Sequence, residues 1–372
     1  MPPSSDAGKT IEFSARHIAP TSATHYLTIM QGVTIRRALP IGAEPLILGR
    51  DPSRAFHLSD ADVSRSHCAV RLVGDTVLVR DLGSTNGTFI DGVRLTDERP
   101  LPLSSLLQLG GNTLKHQRLR PEEAAEHEQF ASELERARAY VQSLIPPPLD
   151  HGPIRIQWCF VPSSILGGDA LGYHALDGTR WAIYLLDVCG HGVASAMHSA
   201  SVLSAVRNQT LPNTDFAEPG QVLERLNDAF QMDNHGDMYF SMFYAVVDPE
   251  ARRLRYSSAG HPPAVLIARD GEIRARLAVK NPPLGALAAR TFARAEETFE
   301  TGERLYLFSD GAYEIRDGDG RERGLEDFER ELCARHDSNA ADELDRLYKA
   351  VCSTAGAELL PDDFTMLRVE YA

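Results

Sequence analysis

The 372 residues read as a multidomain chain, an all-β sandwich joined by a helical linker to an α+β layered sandwich. Three observations carry this reading. Over residues 24–119, short β-branched or aliphatic runs alternate with turn residues, and no useful helical periodicity interrupts them. Residues 120–148 form a glycine-free run of helix formers that stops at Pro146, Pro147 and Pro148. From residue 149 to 372, strand-like and helix-like segments mix without the strict alternation of parallel βαβ units. Residues 1–23 come first and read as a flexible tail; "MPPSSDAGKTIEFSARH" has no hydrophobic segment of the signal-peptide kind.

The first domain rests on "HYLTIM", "PLILG", "HCAVRLV", "TVLVRDL", "GTFIDG" and "LLQLGGNTL", which recur at the intervals of a β-sandwich. In the linker, Pro121 is followed by acidic residues and then by good helix formers, a helix-start pattern. Phe130, Leu134, Ala137, Val141 and Leu144 are spaced 4-3-4-3, a short heptad seam. So few heptads are marginal alone. Two readings therefore stand together: an amphipathic helix lying on a neighbouring domain, and a connector that pairs two chains into a homodimer. In the last domain "IRIQWCF", "RWAIYLLDV", "YFSMFYAVVD", "RRLRYSSAG" and "ERLYLFSD" read as strands. "VASAMHSASVLSAVRNQ", "GQVLERLNDAF" and "AADELDRLYKAVCS" read as helices. This clustering favours largely antiparallel sheets.

Composition excludes several classes. Asp+Glu number 52 against 38 Lys+Arg, a net charge of -14, which argues against nucleic acid or an anionic membrane as the main partner. No apolar run approaches the ~20 residues of a membrane helix. The five cysteines are odd in number and include no CxxC pair, so a disulfide framework or structural zinc site is not expected and a reducing cytoplasm is.

Against that acidic background, "LILGRDPSRAFHLSDADVSRSHCAV" and "DLGSTNGTFIDG" concentrate arginine and hydroxyl side chains at turns. Arginine matches phosphate oxygens bidentately, and Ser/Thr hydroxyls with loop N–H groups complete an anion site. Taken singly, each piece is ordinary turn chemistry. The ordered set "GR…VSRSH…DLGSTNGTFIDG" resembles the forkhead-associated (FHA) domain, a phosphothreonine-binding β-sandwich. The resemblance implies that Arg50, Ser64 and Thr85 bind the phosphate with Arg65 beside them. It further implies that Asn86 holds the bound peptide's backbone and that Gly49, His67 and Gly87 are structural. The implied partner is a phosphothreonine-containing protein. Asp91 stands where that family usually has Asn, and both suit the turn.

In the last domain Asp187 and Asp310 end apolar strands, Asp169 lies in "GGDALG", and Asp362 and Asp363 precede "FTMLRVEY". Carboxylates gathered in a low-dielectric site repel one another, and a hard divalent cation relieves that. All-oxygen ligation points to Mg²⁺ or Mn²⁺. Two such ions activate a water for attack on a phosphoryl group; no Ser-His-Asp or active-Cys signature competes. The pattern "GGD…LLDVCGHGVASAM…YSSAGHPPA…LFSDG…DDFT" resembles the metal-dependent PPM-type protein phosphatases, and more narrowly their SpoIIE-like bacterial branch. That resemblance implies two or more Mn²⁺ or Mg²⁺ ions held by Asp169, Asp187, Asp310 and Asp362, with the Val188 carbonyl beside them and Asp363 as a weaker ligand. It makes Asp187 and Asp310 central to catalysis and His191 a proton donor to the leaving group. His261 is expected to fix the loop and groove.

Two departures stand out. Gly172 fills the slot where the branch usually carries a further aspartate, which is expected to weaken an accessory ion or alter the groove, and Cys189 replaces a common Ser. "GGDAL" is similar to a cyclic-dinucleotide synthase signature but lacks its following acidic residue and Phe. "DGDGRERG" begins like a calcium loop but places Arg321 and Glu322 where an oxygen ligand and glycine belong. The resulting expectation is a cytoplasmic bacterial protein serine/threonine phosphatase. Its expected substrate is a phosphoprotein, with STAS-type anti-anti-sigma proteins the class that the resemblance favours. The alternative is a catalytically degenerate phosphoprotein-binding adaptor.

Overall fold

The structure, a computed structural model, describes residues 23–31, 38–53, 56–58, 60, 62–190, 192–318, 320–335, 342–357 and 359–371. The tail expected over residues 1–23 lies outside them except for its last residue.

Among the described residues, the first domain has eleven strands: β1 (Thr24–Gln31), β2 (Ala38–Pro40), β3 (Leu46–Gly49), β4 (Phe56–His57), β5 (Cys68–Val73), β6 (Thr76–Asp81), β7 (Thr88–Ile90), β8 (Val93–Arg94), β9 (Arg99–Pro100), β10 (Leu106–Leu109) and β11 (Asn112–Leu119). They form two sheets, ordered β2-β1-β11-β10-β7-β8 and β4-β3-β5-β6-β9. Alternate residues point inward, as a period of two requires. Leu27, Ile29, Leu107 and Leu114 of one sheet meet Leu48, Val70, Val77 and Val79 of the other. The β7–β8 hairpin turns on Asp91 and Gly92, both left-handed (φ 50° and 79°), which suits an Asp-Gly pair.

Helix α1 (Pro121–Leu144) follows. Pro121 opens it and the Glu123 carboxylate accepts the Arg120 backbone N–H at 2.8 Å, closing its first turn. Ala124 packs with Tyr26, Ala38 and Leu119 of the first domain. At the far end Leu144 packs on the next domain and its carbonyl accepts from Arg207 at 3.1 Å. The proline stop is stapled down: Trp158 donates to the Pro146 carbonyl at 2.8 Å and Tyr173 to that of Pro147.

The last domain contains β12 (Ile154–Val161), β13 (Ala170–Ala175), β14 (Trp181–Val188), α2 (Val193–Arg207), α3 (Pro219–Ala229), β15 (Phe240–Asp248), β16 (Arg253–Ala259), β17 (Ala264–Ile267), β18 (Ile273–Leu277), β19 (Ala295–Thr298), β20 (Arg304–Phe308), α4 (Leu325–Arg335), α5 (Glu343–Ala355) and β21 (Phe364–Tyr371). Two five-stranded sheets, β12-β21-β20-β17-β18 and β13-β14-β15-β16-β19, are antiparallel throughout.

Strand parity sets the layers. On β14, Ile183 and Leu185 face the other sheet, where Ile156, Leu266, Leu305 and Leu367 meet them. Ala182, Tyr184 and Leu186 face α2 and α3. The outer face of the first sheet is covered by α4 and α5 through Phe328, Leu332, Leu347 and Val351. The result is a helix–sheet–sheet–helix sandwich. Each fully buried large apolar side chain contributes about 1.5–3 kcal/mol. Near α4, Arg316 and Glu322 form an antiparallel bridge and Asp317 accepts the Arg321 N–H at 2.9 Å, while Asp319 of "DGDGRERG" lies outside the described residues. No helix among the described residues is long and apolar enough to cross a membrane.

Candidate functional sites

At one end of the first sandwich three loops meet. The Arg50 N–H donates to the Ser64 carbonyl at 3.0 Å. Ser64 Oγ accepts the Thr85 N–H at 3.0 Å and lies 3.4 Å from Thr85 Oγ1. His67, fully buried, ties these loops together: its Nδ1 accepts the Ser64 N–H at 3.1 Å and its Nε2 donates to the Gly87 carbonyl at 3.0 Å. Gly49 lies directly under the Arg65 carbonyl, where a Cβ would collide. Arg50 and Arg65 are exposed and line, with Asp51 and Pro52, a cavity of about 380 Å³. Asn86 is exposed beside them, its amide nitrogen donating to Asp62. All five residues singled out from the sequence, Arg50, Ser64, Arg65, Thr85 and Asn86, thus share one loop cluster.

In the last domain a cleft of about 610 Å³ opens where the two sheets end. Asp187, Asp310 and Asp362 line it with Glu314, Tyr239, Ser241 and His261, and no Lys or Arg is among its described lining residues. Parity explains the convergence. Asp187 continues the inter-sheet side of Ile183 and Leu185, and Asp310 follows β20 of the facing sheet. Asp169 precedes β13 on that same side. It is buried behind Asp187, with its carboxylate accepting from Thr365 Oγ1 of β21.

Electrostatics marks the cluster as strained by like charge. Burial, then Asp310, Asp362 and Asp363, push the Asp187 carboxyl up to about 7. Burial, then Asp362 and Glu314, push Asp310 up to about 6. Burial, then Asp187 and Asp363, hold Asp169 well above the ordinary range. Oxygen-only donors with unrelieved repulsion fit a hard divalent cation. Among the described residues no three His, Cys, Asp or Glu side chains are placed so that they could hold a metal ion as they stand. The fit therefore rests on charge and donor type.

Asp363 sits differently. Its Oδ1 accepts from Ser163 N–H and Oγ at 2.7 and 2.9 Å, and its Oδ2 accepts the Asp169 N–H at 3.2 Å. Both oxygens brace the loop that carries Asp169. The Val188 carbonyl lies against Gly168, where a Cβ would stand 2.8 Å from it, so only glycine lets the two loops close. His191 lies outside the described residues. His261 is buried. Its Nδ1 donates to the Pro262 carbonyl at 3.0 Å, and burial drives its imidazole down to about 4.

Gly172 is the departure that the geometry resolves. It pairs with Tyr184 across β13 and β14, on the helix side of the sheet. A Cβ there would stand 2.6–2.8 Å from the Tyr184 ring and hydroxyl. A carboxylate at this position would point away from Asp169 and Asp187. The expectation of a weakened accessory ion therefore has no geometric support.

Several residues of the site were not singled out from the sequence. Glu314 raises Asp310 and sits one helical turn beyond it, its N–H donating to the Asp310 carbonyl at 2.8 Å; that spacing of four was the available signal. Ser163, Thr365 and Tyr239 carry no local pattern and are found only through the tertiary fold.

The profile described as stage II sporulation protein E (SpoIIE) matches residues 177–372, and the FHA domain profile matches residues 46–110. The chain is 31% identical over 180 residues to phosphoserine phosphatase RsbP of Bacillus subtilis (strain 168), covering 48% of this chain and 44% of RsbP. It is 28% identical over 250 residues to phosphoserine phosphatase RsbU of the same organism, covering 64% of this chain and 70% of RsbU. The match thus spans less than half the length of RsbP. The SiaA-PP2C domain of Pseudomonas aeruginosa superposes with a TM-score of 0.57 at 18% identity, covering 67% of this chain and all of that domain, a likeness of fold.

Proposed function

Because the chain belongs to the SpoIIE family and carries an FHA domain ahead of the family's segment, we propose that it is a metal-dependent protein serine/threonine phosphatase that reads one phosphoprotein and dephosphorylates another or the same one. The observation that carries this reading is the cleft in which Asp187, Asp310 and Asp362 crowd together without a lining cation. When bound, divalent ions there supply an activated water and neutralise the phosphoryl group.

In this proposal the chain's own residues do the rest. Asp187, Asp310, Asp362 and the deeper Asp169 hold two or more Mn²⁺ or Mg²⁺ ions, with the Val188 carbonyl beside them. Asp363 braces Asp169 and is the weakest ligand candidate, since both its oxygens are engaged. His191, next to Gly190 in sequence, donates the proton to the leaving hydroxyl. His261, neutral and hydrogen-bonded to its own loop, shapes the groove. Arg50, Ser64 and Thr85 take a phosphothreonine, Arg65 adds charge and Asn86 holds the ligand main chain. The names of RsbP and RsbU favour phosphoserine as a substrate group, and the family resemblance favours small STAS-type proteins. The adaptor alternative drew on Gly172, which faces the opposite side of the sheet.

The test is hydrolysis of an aryl phosphate and of phosphoserine peptides. Activity should need Mn²⁺ or Mg²⁺, vanish with chelator and fall at least a hundredfold in Asp187→Asn, on the scale of losing a principal electrostatic group. Full turnover in metal-free buffer overturns the proposal.

A further inference from the structure

We propose that Asp62 makes the phosphothreonine reader selective for a ligand that carries a basic residue close to its phosphorylated threonine. The inference deepens the FHA reading above and rests on it.

The reader has two lips of opposite charge. On one, the exposed guanidinium groups of Arg50 and Arg65 line the 380 Å³ cavity. The acid nearest to them, Asp51, accepts from its own turn, with Ser53 N–H at 3.0 Å and Ser53 Oγ at 2.8 Å. On the other lip stands Asp62, which is exposed. Among the described residues no ion pair joins it to a Lys, Arg or His. Its Oδ1 accepts from Asn86 Nδ2 at 2.9 Å, and its backbone carbonyl accepts from the same nitrogen at 3.0 Å.

That double contact fixes how Asn86 meets a ligand. With its amide nitrogen held by Asp62, Asn86 offers its side-chain oxygen, an acceptor for a ligand main-chain N–H. The ligand main chain must then pass beside the Asp62 carboxylate. An extended segment advances about 3.3 Å per residue, so a Lys or Arg one or two residues from the one bound at Asn86 spans the remaining gap. An acidic residue in that place meets like charge. The pair would be solvent-exposed, so its effect is modest, about two- to fivefold in affinity.

The experiment titrates the full chain with phosphothreonine peptides in which one residue is Lys, Ala or Glu, walked through the positions flanking the threonine. At one flanking position Lys should bind two- to fivefold tighter than Ala, and Glu weaker. Asp62→Asn keeps an oxygen for Asn86 and removes the charge, so the ratio of Lys-peptide to Ala-peptide affinity should fall to about one, whatever the change in overall affinity. Asp62→Lys should invert it. Equal affinity for Lys, Ala and Glu at every position overturns the proposal, as does a Lys preference that survives in Asp62→Asn. A uniform loss for all peptides in Asp62→Asn, with that ratio unchanged, also overturns it, since Asp62 would then serve only to orient Asn86. If the parent binds no phosphothreonine peptide at all, the FHA reading itself fails and the selectivity falls with it.

Discussion

Asp187 and Asp310 are held above the ordinary carboxylate range by burial and by their acidic neighbours. A carboxyl whose folded pKa exceeds its unfolded value contributes stability that is fully present below about 4 and is lost as pH rises through the folded values, here about 6 and 7. In chelator, then, Asp187→Asn should melt above the parent at pH 8, and the gap should close towards pH 5. Comparing the two proteins cancels His174 and His261, whose depressed values titrate in the opposite sense in both. The shift should be a few degrees, since 1 kcal/mol moves a domain of this size by about 2–4 °C. Mn²⁺ should raise the parent's melting temperature and not the variant's. A gap that widens as pH falls would contradict the crowded-carboxylate picture. Gly172→Asp gives a second check. Its side chain would enter the Tyr184 packing, costing about 1–3 kcal/mol of stability, while Mn²⁺ affinity measured by calorimetry should stay within about twofold. A large gain in Mn²⁺ affinity would place that position at the metal site after all. The aspartates were legible in the sequence because each ends or abuts an apolar strand or glycine loop. The direction of Gly172 was not, because three residues in a strand reverse the face and the strand's first residue had to be known.

The element whose role was least legible is α1. Its seam is visible in the sequence, but what covers it depends on the packing of two domains at once. Both ends are docked, through Ala124 and Leu144, yet Phe130 at the middle is 53% exposed and Leu134, Ala137 and Val141 are only half-buried. The helix thus meets the first of the two sequence expectations at its ends and leaves the second open along its middle. We propose that this exposed stretch pairs with a second copy. Leu134→Glu with Val141→Glu places like charges in the seam without touching Ala124, Leu144 or either site. Analytical ultracentrifugation should show a parent dimer and a variant monomer with unchanged helix content. A parent that is monomeric at micromolar concentration rejects the pairing. Of the strands, β1, β3, β5–β7, β10–β12, β14–β16 and β20 fall on runs legible as strands; the short β2, β4, β8 and β9 carry too little period, and β13, β17, β18, β19 and β21 of the last domain went unread, β13, β17 and β21 being buried on both faces and so without alternation.

At the scale of the whole molecule, charge is divided unevenly along the chain. Residues 24–119 carry eleven Lys+Arg against nine Asp+Glu, whereas residues 149–372 carry 22 against 35. In the proposed function, the nearly neutral reader admits a phosphorylated protein that the acidic catalytic half, without its cations, repels. Between them α1 runs 24 residues, about 36 Å of continuous helix. Two couplings fit that geometry. In tethering, the reader raises the local concentration of a substrate and the catalytic cleft is unaware of it. In transmission, ligand binding at the reader shifts α1, and the shift reaches α2 through the Leu144–Arg207 contact and so the loop after Asp187. An aryl phosphate separates them, because it is never recruited. Its turnover should change on saturation with a phosphothreonine peptide if α1 transmits, and Arg207→Ala, which removes the contact far from both sites, should abolish that response while leaving basal turnover within about twofold. Turnover indifferent to the peptide in the parent leaves recruitment alone; peptide binding should then accelerate only substrates that carry their own phosphothreonine, and by a factor that falls as substrate concentration rises.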